Sequence, residues 1–169
     1  YDVFANLQAN YASHAHVKTL NVAVGPDDRI ALYRIRPEFS ARYRGKNASG
    51  KTSVDRDYVL RKAKSLLFVV GVPPRDRIEK VWQTCMTASE IIDSELSAEN
   101  HDLFVQVDAE GFDDQIVYTI DFKRHRPFAV NYEVIHLGKE RHARLRSYLS
   151  GHGYDFVRWS KSDEVAILT

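Results

Sequence analysis

Hydrophobic positions fall into two rhythms along this chain, one at helical spacing and one in short continuous runs. The alternation of the two is its main structural signal. Val3, Phe4, Leu7 and Tyr11 share one helical face. The run VKTLNVAVG, Val17 to Gly25, is mostly apolar and predicts a strand ending at a Gly-Pro-Asp turn. RIALYRI, Arg29 to Ile35, predicts another strand. Arg36 to Arg56 is polar, contains Pro37, Gly45 and Gly50, and reads as a loop. A helical stripe follows at Val59, Leu60, Ala63, Leu66, Leu67 and Val70, with Asp55 or Asp57 as its cap, and VPPRDR breaks the chain after it.

IEKVWQTCM, Ile78 to Met86, reads as strand, and Thr87 with Glu90 three residues on forms a capping-box signature. Ile91, Ile92 and Leu96 form the face of that helix. LFVQVD, Leu103 to Asp108, is a buried-type strand; DDQIVYTI is a short helix; FAVNYEVI, Phe128 to Ile135, is a strand. Leu137, Arg141, Leu145, Tyr148 and Leu149 stripe one more helix, stopped at Gly151 and Gly153. YDFVRW and EVAIL, joined by SKSD, predict an antiparallel hairpin. Strand and helix in alternation predict an α/β fold: a mainly parallel sheet with helices on both faces and a terminal antiparallel hairpin as an edge variation. At 169 residues, one domain spanning 1–169 with a substantial core is expected.

Composition narrows the partners. The formal net charge of +1 gives no global pull toward nucleic acid or acidic membranes. The longest apolar run, Leu66 to Val72, is too short to span a bilayer. Cys85 is the one cysteine, which excludes an intrachain disulfide and any multi-cysteine metal site. It suits a reducing compartment, so a cytoplasmic location is expected. The chain does not open with Met, and YDVFANLQANY reads as the inside of an element; an excerpt of a longer protein is expected.

GKNASGKT, Gly45 to Thr52, fits the phosphate-loop pattern G-x-x-x-x-G-K-[ST]. Such a loop works only when a buried strand delivers the glycines and a helix opens at the Lys-Thr, so that backbone N–H groups meet the phosphates. PEFSARYR before it is a poor buried strand, and the apolar stripe after it begins about a turn late. The expectation is a basic surface loop. The competing reading is a nucleotide hydrolase that also uses Asp108 for Mg²⁺.

The strand ends are more informative, because ligands of open α/β sheets bind outside the carboxyl ends of the strands. One strand ends in VDAEGFD, with Asp108, Glu110, Gly111 and Asp113; the next ends in NYEVIHL, with Glu133 and His136. Gly111 would let the backbone turn tightly and approach a ligand. Together these residues offer general-base catalysis on a hydroxyl or amine, or a site for a hard divalent cation. Bland roles compete: Asp108 or Asp113 as a helix cap, Glu133 paired with an Arg, His136 as a surface-loop residue. HAH at His14 and His16 lacks a third ligand nearby, so no metal site is expected there. Arg124, His125 and Arg126 read as a solvated loop.

The string FANLQANY, VKTLNVAVG, DLFVQVDAEGFDDQIV, PFAVNYEVIHL, LRSYLSGHGYDF and DEVAIL resembles the FkbM-type methyltransferases. The resemblance covers at least Val3 to Gly25 and His101 to Leu168, while Arg36 to Asp76 does not match closely, so 36–76 is expected to be a variable excursion. Its most specific pieces are the D-x-E-G turn at Asp108 to Gly111 and the strand end at Asn21 to Val24. It implies a Rossmann-like fold, S-adenosylmethionine as cofactor, and methyl transfer to a hydroxyl of a sugar or other small molecule. It places Asn21, Val22 and Ala23 beside the adenine, and Asp108 and Gly111 at the cofactor. Asp108, Glu110, Glu133 and His136 become the catalytic candidates facing the acceptor. The family's glycine-rich cofactor loop would precede Tyr1, which makes this chain the carboxyl two-thirds of such a domain. A degenerate, non-catalytic α/β binding module is the alternative.

Overall fold

The computed structural model describes residues 3–40, 52–65, 71–96 and 102–169. Gly45 to Lys51 of the phosphate-loop motif, and Leu66, Leu67 and Val70 of the expected helical stripe, lie outside them. The fold is mixed α/β, with two sheets and six α-helices among the described residues. No described helix is long and apolar enough to cross a membrane. The chain divides into two compact units: Tyr1–Ala23 with Arg29–Thr84, and Val24–Asp28 with Cys85–Thr169.

In the first unit, α1 (Val3–Tyr11) forms where the apolar spacing predicts it. The expected strand from Val17 to Gly25 shrinks to β1, Ala23–Val24. Leu20 and Asn21 are exposed, and the Asn21 carbonyl accepts a hydrogen bond from the Gln83 side chain (3.3 Å), so this run has neither a buried face nor a ladder. β2 (Arg29–Ile35) and β3 (Ile78–Met86) match their sequence bounds and pair antiparallel, from Arg29 opposite Thr84 to Ile35 opposite Ile78. The sheet order is β1-β3-β2. Trp82 is exposed on β3 with the Lys80 ammonium 4.4 Å from its ring centre, worth about 0.5–1 kcal/mol at such a site.

The short α2 (Pro37–Ser40) follows β2, and α3 (Arg56–Lys64) begins at Asp55, whose carboxylate accepts the N–H groups of Asp57 (2.7 Å) and Tyr58 (3.0 Å). Such a cap contributes about 1 kcal/mol. Val59 and Ala63 of α3 close a small core with Ile35 and Ile78. Beside it the buried Arg77 guanidinium donates to the carbonyls of Ala63 (3.0 Å), near the end of α3, and Val72 (2.8 Å).

The first helix of the second unit is α4 (Ala88–Glu95), and the capping box is present: Thr87 Oγ1 accepts the Glu90 N–H, and Glu90 accepts the Thr87 N–H. Then come β4 (Phe104–Val107), α5 (Asp113–Val117), β5 (Ala129–Glu133), α6 (Gly138–Ser150), β6 (Tyr154–Arg158) and β7 (Asp163–Leu168). The sheet order is β4-β5-β7-β6. β4 and β5 are parallel, while β7 is antiparallel to both β5 and β6, so β4, β5 and β6 run one way and β7 the other. The expected antiparallel hairpin is present and forms one edge of this sheet. Its second strand, with Ala166 and Glu164 buried, pairs with β5, and β6 is the outer strand of the two.

β5 is buried almost throughout, as its apolar run predicts, but β4 alternates: Phe104 is exposed and Val107 buried. Leu145 and Leu149 of α6, both fully buried, pack with Val130, Tyr132 and Val117 into the main core. Each such aliphatic side chain contributes about 1.5–3 kcal/mol. In the loop at 124–126, Arg124 and Arg126 are exposed as expected, Arg124 pairing with Asp93 (2.9 Å), whereas the His125 ring is mostly buried against the same carboxylate (3.4 Å).

Candidate functional site

The parallel register, Phe104 opposite Ala129 through Val107 opposite Tyr132, sets the carboxyl ends of β4 and β5 side by side. The loops that leave these two strands therefore emerge at one edge of the sheet. Asp108 leaves β4 exposed. Glu110 and Gly111 then take consecutive left-handed conformations, with φ of 51° and 96°. This reverses the chain sharply, and for Glu110 it is a strained backbone of the kind that clusters at working sites.

Gly111 is required here for a reason other than ligand approach. A Cβ at Gly111 would lie 3.0 Å from His136 Cβ and 3.2 Å from the His136 carbonyl oxygen. The glycine lets the turn after β4 pack directly on the loop after β5. Gly111→Ala should therefore lower stability by about 1–3 kcal/mol and push the two loops apart. Denaturant titration measures this, and an unchanged midpoint would refute the close-packing account.

Asp113 sits beneath the turn. It is the first residue of α5, yet it caps nothing: it is fully buried, and its carboxylate accepts the N–H groups of Gly111 (3.1 Å), Glu133 (3.2 Å) and, at longer range, Ala109 (3.4 Å). One side chain thus ties both loops to a common point. Burial raises its pKa, against the pull of those N–H donors. Its neighbour Asp114, also buried, holds Arg141 of α6 through two hydrogen bonds, one of 3.0 Å from Nε and one from Nη2. Arg141 Nη2 also donates to the Gly111 carbonyl (2.8 Å). The turn is clamped at both its N–H and its C=O.

Above this base Glu110, Glu133 and His136 converge, with one ligand atom from each lying within 4.8 Å of the others. His136 Nδ1 is 2.8 Å from Glu133 Oε2 and 3.9 Å from Glu110 Oε2. The hydrogen bond to Glu133 raises the His136 pKa above its ordinary value, and the charges of Glu133, Glu110 and Asp113 add to it. Glu110 and His136 are exposed, with about half of each side chain open to solvent (56% and 46%), so the cluster can meet a ligand.

Of the residues singled out by sequence, the structure brings together Glu110, Gly111, Glu133 and His136, with Asp108 at the adjoining strand end. Glu133 pairs with His136, not with an arginine. Asn21, Val22 and Ala23 belong to the first unit and take no part in the cluster. Thr52, the last residue of the phosphate-loop motif, leads to Ser53, which bridges Tyr33, and α3 opens only at Arg56. Sequence reasoning missed the structural parts of Asp113, Asp114 and Arg141. The signal for Arg141 was present: a cation in an otherwise apolar stripe must find a buried acceptor. Comparison with protein-family models, with curated proteins and with solved structures yields no match to this chain.

Proposed function

We propose that the chain is part of an S-adenosylmethionine-dependent O-methyltransferase domain acting on a hydroxyl of a sugar or other small molecule. The observation that carries this is the joining of the D-x-E-G turn and the Glu133–His136 pair at one edge of a parallel strand pair. On this reading the second unit's sheet, with three strands in one direction, is a piece of a Rossmann-like sheet.

The residues present suit such a cofactor in part. Asp108 is an exposed carboxylate at the strand end, able to accept a hydroxyl or face a cationic sulfonium. Gly111 serves by closing the turn, since its free side faces His136. When bound, S-adenosylmethionine supplies the electrophilic methyl group. The protein's share is positioning, exclusion of water and removal of one proton. Glu110, Glu133 and His136 would orient the acceptor hydroxyl, and its proton would leave among them. Asp113 and Arg141 hold the backbone that carries them.

Calorimetric titration with S-adenosylmethionine, on this chain and on a longer form of the protein, tests the class; absence of binding by the longer form sinks it and favours a binding module without cofactor. Glu110→Gln should leave the fold and cofactor affinity intact and cut methyl transfer by about 10²–10⁴-fold. Full activity in that variant would remove Glu110 from the acceptor site.

A further inference from the structure

The geometry points to a divalent-cation site: Glu110, Glu133 and His136 bind one first-row divalent metal ion at the carboxyl ends of β4 and β5. The inference stands on the placement of these three side chains and does not depend on the methyl-transfer reading.

The donor set is two carboxylates and one imidazole. Carboxylates suit Mn²⁺ and Mg²⁺, and an imidazole shifts the preference toward first-row transition ions such as Mn²⁺, Fe²⁺ or Zn²⁺. Donors at about 2.1 Å from a metal stand about 3 Å apart when neighbouring and about 4.2 Å apart when opposed. Here Glu133 Oε2 and His136 Nδ1 are 2.8 Å apart, Glu110 Oε2 is 3.9 Å from the same nitrogen, and the whole set lies within 4.8 Å. Closure on a cation needs a shift of about 1 Å in the exposed Glu110 side chain, well within its rotamer freedom.

The backbone under the site is fixed independently of any ion. Asp113 holds the N–H groups of Gly111 and Glu133, and Arg141 holds the Gly111 carbonyl. Two ligands, Glu110 and Glu133, are thereby anchored through neighbouring or own backbone to one buried carboxylate. The third is brought in by the missing Cβ at Gly111, 3.0 Å from His136 Cβ. Without a cation, Glu133 and the His136 ring share a proton; a cation takes its place, as ligand imidazoles must be neutral. Three protein donors leave the rest of the coordination sphere to water or to a substrate oxygen. If methyl transfer also occurs here, that oxygen is the acceptor hydroxyl, and its ionisation is eased by the ion.

Mn²⁺ is the probe. Calorimetry, with free Mn²⁺ counted by electron paramagnetic resonance, should show one ion bound per chain. Glu110→Gln and His136→Gln, both exposed and so expected to leave the circular dichroism spectrum unchanged, should each weaken binding at least about tenfold. Absence of Mn²⁺ binding up to millimolar concentration overturns the proposal, and so does binding that neither variant weakens. S-adenosylmethionine titration reads the methyltransferase reading separately, so either can fail while the other stands.

Discussion

Replacing Asp113 with Ala will lower the stability of the second unit by about 3–5 kcal/mol and disperse the Glu110–Glu133–His136 cluster. The size reflects the carboxylate's bonding. It is fully buried and accepts backbone N–H groups from Gly111, Glu133 and Ala109, and each donor left without a partner costs about 1–3 kcal/mol. Asp113→Asn should fall between, because it keeps one acceptor oxygen and sets an NH₂ group against the remaining donors. Urea unfolding followed by circular dichroism measures both. A loss below about 1 kcal/mol in the Ala variant would mean that water or a shifted backbone replaces these bonds, and the cluster would then lack its fixed base.

Removal of the Glu164 side chain should cost as much. Glu164 lies on β7 with 2% exposure; Oε2 accepts from the Tyr132 hydroxyl (2.7 Å) and pairs with His142 Nε2 (2.8 Å), and Arg146 Nη1 donates to Oε1 (3.1 Å). Arg158 on β6 stands opposite it in the register. Breaking such a buried set from one side typically costs about 3–5 kcal/mol, so Glu164→Ala is expected to lose that amount near neutral pH. Burial opposes the charge, but the hydrogen bonds from His142 and Tyr132, with the charges of His142 and Arg146, outweigh it and hold the carboxyl below its ordinary 4.5.

This depression fixes the sign of the pH effect. A depressed carboxyl stabilises the fold fully above its unfolded value and loses that contribution as pH falls through the folded one. The gap between wild type and Glu164→Ala should therefore narrow on acidification below about 4.5. A gap that stays constant or widens there would show that the carboxylate's charge is not what stabilises the sheet.

Much of the local structure is legible in the chain. β2 and β3 match their expected bounds, Thr87 and Glu90 declare their helix start, and YDFVRW with EVAIL declares its hairpin. These features depend on residues a few positions apart. The failures concern partners far apart in sequence. Val17 to Asn21 has the composition of a strand, but nothing local says whether another strand will pair with it. The insertion of β7 between β5 and β6 is likewise a choice among distant partners, which periodicity does not encode. The site divides in the same way. Glu110, Glu133 and His136 can be picked out because they follow apolar runs. Their convergence depends on the parallel register of β4 and β5 and on two left-handed residues in succession. Asp113 looks like a helix cap in the sequence because capping is a local role, whereas one of the N–H groups it accepts comes from the strand beyond.

The placement of β7 between two strands that point the other way bears on how the second unit assembles. β6 and β7 are close in sequence and can zip locally, whereas β6 joins β5 only through β7. The same docking brings Glu164 to Tyr132 and His142. Strand insertion and the pairing of the buried charge are then one event, with no half-inserted arrangement in which the carboxylate is both dry and partnered. Docking of the hairpin through β7 is a long-range pairing, the kind that meets its loop-closure entropy before its contacts reward it.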